Sequence, residues 1–174
     1  NYYKPIDKKT NLVKRCVGVP GDSLEVRDGY VYINGKKNQL PDRAKLQFSF
    51  DIQFKGQISS DEEVYRILKR YDITDRIGYD PVQERYFVQA TEENAAKARN
   101  HPNIASIEKR TTAKGVDQNL FPRAAQFPWN YNNFGPLYIP KKGATIKLNT
   151  EVLPLYRRVI EEYEDNDIKV IECN

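Results

Sequence analysis

Between residues 46 and 111 the apolar residues switch from a period of two to a helical period and back, twice, which leaves few folds open. Phe48, Phe50, Ile52 and Phe54 occupy alternate positions, the mark of one apolar face of a strand. Ser60-x-x-Glu63 is a capping box, and Val64, Ile67, Leu68 and Tyr71 follow at helical spacing. Residues 76–80 predict a strand, 81–84 a turn, and Tyr86-Phe87-Val88 the next strand. Thr91 predicts an N-cap, with Glu92 and Glu93 in the first turn where negative charge meets the positive helix end. Ala95, Ala96 and Ala98 continue that helix, and Asn100-His101-Pro102 stops it, giving His101 a surface or capping role. Ile104 to Arg110 reads as the last strand.

The order β-α-β-β-α-β predicts a ferredoxin-like split βαβ unit over 46–111. The flanks have another grammar. Leu12 to Val17 predicts a short strand, and Pro20-Gly21 suits a type II turn because Pro presets one φ and Gly accepts the positive one. Leu24 and Val26 alternate with charged residues, and Asp28-Gly29 and Asn34-Gly35 bracket Tyr30-Val31-Tyr32-Ile33 as hairpin turns. Further on, Leu137-Tyr138-Ile139 and residues 144–148 predict a hairpin, Thr150 the cap of a helix over 151–164, and Ile168 to Ile171 a final strand. The fold class is therefore α+β: a β-rich antiparallel region from 1–45 and 112–174, with the ferredoxin-like βαββαβ unit as an insertion at 46–111.

Composition narrows function. The 174 residues suit one ordinary domain or two small ones that share a core. Two cysteines and one histidine exclude a disulfide framework and a His/Cys metal cluster, so no metal or cofactor is expected. No run of about 18 apolar residues occurs, so no membrane-crossing helix is predicted within the sequence. Residues 1–45 hold ten basic and five acidic side chains, but these are spread out, with no helix presenting them as one stripe, so no nucleic-acid partner is expected. The carboxylate groups Asp61/Glu62/Glu63 and Glu161/Glu162/Glu164 fall on polar helix ends and read as solvated surface. Asp165-Asn166-Asp167 lacks the Gly and the distal Glu of a calcium loop. Cys16 has no histidine near it in sequence to activate its thiol. The chain has no methionine and opens on Asn1, so an excised or processed piece is expected.

Lys14 stands out. It lies in an apolar stretch beside Arg15, and strand alternation would send the two to opposite faces, Lys14 to the apolar side. A buried lysine is rare unless paired or functional. The stretch Lys14-Arg15-Cys16-Val17-Gly18-Val19-Pro20-Gly21-Asp22 resembles the lysine-bearing motif of bacterial signal peptidase I, the Ser/Lys leader peptidase. The hairpin that follows and Tyr32-Ile33-Asn34-Gly35 are also similar to that family, and Phe134 to Gly143 resembles a segment of members with a long insertion.

The resemblance implies cleavage of signal peptides from exported preproteins, with Lys14 as general base. An ordinary lysine, with a pKa of about 10.4, is only ~0.04% neutral at pH 7, so such a base must be desolvated. Val13 matches a substrate-groove position, Arg15 a structural ion-pairing one, and Gly18, Pro20, Gly21 and Asp22 the turn. The resemblance also implies an extracytoplasmic (periplasmic) location, with membrane anchors outside this chain. The family's Ser-Met-x-Pro and Gly-Asp-Asn-Arg-x-x-Ser motifs are absent, so the chain is expected to be inert by itself. Two alternatives stay open: a repressor-type self-cleaving Ser/Lys protease domain, and a non-catalytic protein-binding β domain in which Lys14 is a paired strand lysine.

Overall fold

The computed structural model describes Pro5, Thr10, residues 12–56 and residues 58–171. Two four-stranded sheets carry the fold, antiparallel at every pairing. The first sheet holds β1 (Ser23–Arg27), β2 (Tyr30–Ile33), β3 (Lys36–Lys37) and β8 (Phe134–Tyr138), in the order β3-β2-β1-β8. Both predicted two-residue turns form: Asp28 and Gly29 have φ of 50° and 81°, and Asn34 and Gly35 have 51° and 78°. These positive values match the right-handed twist of the flanking strands.

The second sheet is built from residues 46–111 alone. It holds β4 (Phe48–Phe54), β5 (Asp75–Asp80), β6 (Arg85–Ala90) and β7 (Ile104–Lys109), in the order β5-β6-β4-β7. Helices α1 (Asp61–Lys69) and α2 (Glu92–Ala98) complete the split βαβ pattern. Both predicted caps are made: Ser60 Oγ accepts from the Glu63 N–H, and Thr91 Oγ1 from the Asn94 N–H. Glu63 reaches back to Ser59 rather than Ser60. The helices bury Val64, Ile67, Leu68, Ala95 and Ala98 against Phe50, Ile52, Val88, Ala90, Ile104 and Ile107. His101 is buried, edge-on to Tyr71, and its Nδ1 accepts from the Asn103 N–H, so its role is that of a turn-former rather than a surface group.

Four expectations in the flanks are corrected. Residues 12–17 form no strand, because no strand among the described residues pairs with them and β propensity alone does not hold an isolated segment. Residues 144–148 form none either: β8 pairs with β1 instead, and Tyr156 Oη donates to the Tyr138 carbonyl at 3.1 Å. The helix predicted over 151–164 is shorter, with α3 at Leu153–Arg158 followed by a π-helical turn at Val159–Tyr163. Thr150 does not cap it: the N-cap is Val152, which makes no side-chain cap, and Asn149 Oδ1 accepts from the Val152 N–H at 2.8 Å in the turn before the helix. Residues 168–171 are not a strand, and Val170 and Ile171 are exposed. The aromatics of the connection pack together, Trp129 lying between Phe127 and Phe134 above Leu155 and Tyr156.

Two sets of polar contacts join the halves. Asn130 and Asn133, both buried, donate to the carbonyls of Ala113 and Thr112, while the Asp28 N–H donates to Asn133 Oδ1 and the Gly29 N–H to the Asn132 carbonyl. On the helical side, Tyr30 Oη donates to Glu92, which also accepts from Lys109 at 3.2 Å. Burial, then the Glu92 hydrogen bond, pushes the Tyr30 hydroxyl up to about 12. The Tyr30 bond first, then Lys109, hold Glu92 below the ordinary carboxylate range.

Ile52 is fully buried, so Ile52→Ala is expected to cost about 2–5 kcal/mol, read as a lower urea midpoint at unchanged slope. A depressed carboxyl stabilises above its unfolded pKa and loses that contribution as pH falls through the folded value. Tyr30→Phe is therefore expected to cost about 1 kcal/mol near pH 7, with the gap to wild type closing in acid as Glu92 protonates, followed by urea titration at several pH values.

Candidate active site

The motif residues divide into a free arm and a fixed turn. Leu12 to Cys16 are exposed; Val13 is 96% accessible, and Lys14 and Arg15 point into solvent without a strand to sort their faces. The expected placement of Lys14 on the apolar side of a strand, opposite Arg15, is not made, because the strand that would impose alternation is absent. Cys16 Sγ donates to the Gly18 carbonyl at 3.2 Å, so the thiol closes a local bend.

From Gly18 onward, Gly18, Val19, Gly21 and Asp22 each have a structural partner. A Cβ at Gly18 would stand 2.7 Å from Ile139 Cδ1, so residue 18 packs closely on the tip of Ile139, and a side chain there would have to push that methyl aside. Val19-Pro20-Gly21-Asp22 forms the predicted turn: the Asp22 N–H donates to the Val19 carbonyl at 3.0 Å, and Gly21 has φ of 101°. The Asp22 carboxylate returns the contact, accepting from the Val19 N–H at 2.9 Å and from Asn34 Nδ2 at 2.8 Å. Asn34 then pairs with Ser23 twice, accepting at Oδ1 from the Ser23 N–H and donating its own N–H to the Ser23 carbonyl, each at 2.9 Å. The Gly21 N–H donates to the Ile139 carbonyl at 2.7 Å and the Ile139 N–H to the Asp22 carbonyl at 2.8 Å. The turn is thereby pinned to the entry of β1, the β2–β3 turn and the exit of β8, and it sets where the Lys14 arm leaves the sheet.

The Val19 hydrogen bond, followed by that from Asn34, holds the Asp22 carboxyl below the ordinary aspartate range. Sequence reading assigned Asp22 to the turn but missed Asn34 and Ile139 as its partners. The Asn34-Gly35 hairpin signal named the residue without its second bond, and nothing local marks residue 139. The arrangement can carry a lysine on a short tether beside a rigid turn. No helix among the described residues is long and apolar enough to cross a membrane.

A family model described as signal peptidase, peptidase S26, matches residues 2–112. Signal peptidase I P of Bacillus subtilis subsp. natto is 34% identical over 53 residues, 29% of this chain and 29% of that protein. Signal peptidase I of Bacillus licheniformis is 46% identical over 35 residues, 20% of this chain and 19% of its own length. Signal peptidase IB of Staphylococcus aureus gives 46% over 35 residues, 20% and 18%. The chain thus spans less than a third of the length of these curated relatives. No solved structure matches.

The Val19 amide reports on Asp22. Its proton shift is expected to titrate with a midpoint below that of a free aspartate, and to stay flat across the same range in Asp22→Asn. A midpoint at or above the ordinary aspartate value would contradict the hydrogen-bond assignment.

Proposed function

Because the chain belongs to the signal peptidase family, peptidase S26, we propose that it takes part in removing signal peptides from exported preproteins, with Lys14 as the general base. The observation that carries this reading is the turn just after Lys14. Gly18, Gly21 and Asp22 of the family-like motif each hold the structural role that a rigid support for a catalytic lysine requires.

In the proposed reaction a serine Oγ attacks the carbonyl carbon of the scissile bond while Lys14 Nζ takes the hydroxyl proton. That proton passes to the leaving amine as the C–N bond breaks, and water, deprotonated by the same lysine, releases the acyl group. The base must start neutral, which needs an apolar wall around it. Lys14 is exposed on its arm, so the wall forms when substrate and the serine-bearing segment close over residues 12–16. The 174 residues hold no Ser-Met-x-Pro motif and no serine before Ser23, and in the proposed reaction the nucleophile comes from sequence beyond them. Val13 belongs to the substrate groove, and Arg15 pairs with a carboxylate of the closing segment. We place the region on the extracytoplasmic side of a membrane, held by anchors outside it, and its 46–111 unit as an insertion in the β-rich peptidase region.

The test is cleavage of an Ala-x-Ala preprotein by the full-length protein that carries this sequence. Lys14→Ala is expected to lower kcat by about 10²–10⁴-fold with the fold unchanged. Lys14→Arg is expected to fail equally, since a guanidinium keeps its proton near neutral pH. Turnover close to wild type in Lys14→Arg would remove the base assignment and leave a non-catalytic binding role. The 174 residues alone are expected to leave the preprotein intact.

A further inference from the structure

At the junction of the two sheets lies a cleft of ≈ 320 Å³. Ser49, Gln89 and Arg110 face it from the second sheet, and Thr112, Tyr131 and Asn132 from the connection that returns to the first. Its floor is the contact of Phe48 with Gly29, where a Cβ on residue 29 would stand 3.1 Å from Phe48 Cε1. Leu46 and Phe48 add apolar surface to these polar side chains, and the lining as a whole is electrically quiet. Arg110 Nε donates to Asp51 at 2.8 Å, which neutralises the one cation, and no carboxylate lines the cleft. Gln89 uses one end of its amide on Ser49 Oγ at 2.7 Å, and Asn132 uses its Oδ1 on the Thr112 N–H. The other end of each amide, and the hydroxyls of Thr112 and Tyr131, have no partner among the described residues. Tyr131 is 74% exposed, an aromatic wall standing in water.

Such a surface excludes two ligand classes. A phosphate-bearing ligand needs unpaired cations, and a cationic one needs unpaired carboxylates. What remains is a neutral ligand, and an extended peptide backbone, which alternates donors and acceptors, is matched by side-chain amides and hydroxyls without regard to sequence. The cleft sits by the β1–β2 turn, and the Lys14 arm leaves from the other end of β1. Five strand residues, about 17 Å of extended chain, separate them. We propose that this cleft holds the backbone of the preprotein in extended form, several residues away from the bond being cut, and so selects unfolded over folded substrates. The identity of the occupant rests on the proposed signal-peptide cleavage, while binding in the cleft is independent of Lys14.

The experiment uses a fluorescein-labelled, uncharged, unstructured peptide rich in Ser, Ala and Thr, with no cleavage site, and fluorescence anisotropy with the 174-residue chain. Saturable binding is expected, weakened at least about fivefold by Tyr131→Ala and by Thr112→Val, and unchanged in Lys14→Ala. Tyr131 is exposed and Thr112 lies at the surface, so amide NMR spectra close to wild type are expected for both variants. In the full-length protein, Tyr131→Ala is expected to raise KM for preproteins at unchanged kcat. It should leave untouched short peptides that end within about five residues of the scissile bond, too short to span β1. Absence of binding, equal affinity in wild type and both variants, or an uncharged oligosaccharide that displaces the peptide from the cleft would each overturn the proposal. Loss of cleavage in Lys14→Arg with binding intact tests only the base, so the two readings fail separately.

Discussion

The Asp22 carboxylate is shared between two turns, and the geometry of the first sheet depends on that sharing. It accepts from the Val19 N–H within its own turn and from the Asn34 side chain of the next hairpin. A carboxylate has lone pairs enough for both contacts and gains from each while ionised. The two turns thus lock as one body at the entry of β1. The carbonyl and amide of this turn also bond Ile139, which fixes the exit of β8 on the same body. Without it, a four-stranded sheet whose strand residues are all half-buried or exposed would have little else to set its edge.

That half-burial contrasts with the second sheet. There Ile52, Val64, Leu68, Ile73 and Ala98 have no accessible surface, because two capped helices cover one face completely. The first sheet is covered on one face by a smaller cluster around Trp129. Stability is therefore concentrated in 46–111, and the connection through Asn130 to Asn133 ties the thinner sheet to it. Buried asparagines suit this work: each offers a donor and an acceptor at fixed separation, so the return of the chain from β7 to β8 meets the β1–β2 turn in one register. The Tyr30–Glu92–Lys109 contact fastens the opposite side of the same junction.

The division of labour bears on chemistry. If Lys14 is the base we propose, it needs a rigid mount and a dry environment, and the two requirements have different sources. The turn that would mount it is local, built from Gly18 to Asp22 and their partners. Dryness is not local: Val13 and Lys14 lie open, so desolvation has to come from whatever packs on the arm. The same logic explains why residues 12–17 are not a strand, since a strand is a property of a pair.

The amino-acid sequence alone determined the features that arise within a few residues. The Asp28-Gly29 and Asn34-Gly35 turns, the Pro20-Gly21 turn, the Ser60 and Thr91 caps and the whole βαββαβ order were legible because φ preference, capping and apolar period are short-range. So was the lysine motif, as a pattern of residue types. Tertiary structure alone decided what those pieces meet. It gave β8 to β1 rather than to residues 144–148 and started α3 after Val152 with no side-chain cap. It also left residues 12–17 and 168–171 unpaired and brought Asn34, Ile139, Tyr30 and Glu92 into contacts that span up to 118 positions, as between Gly21 and Ile139. Strand pairing and buried polar contacts depend on partners far along the chain, and no local spacing encodes which distant group will arrive.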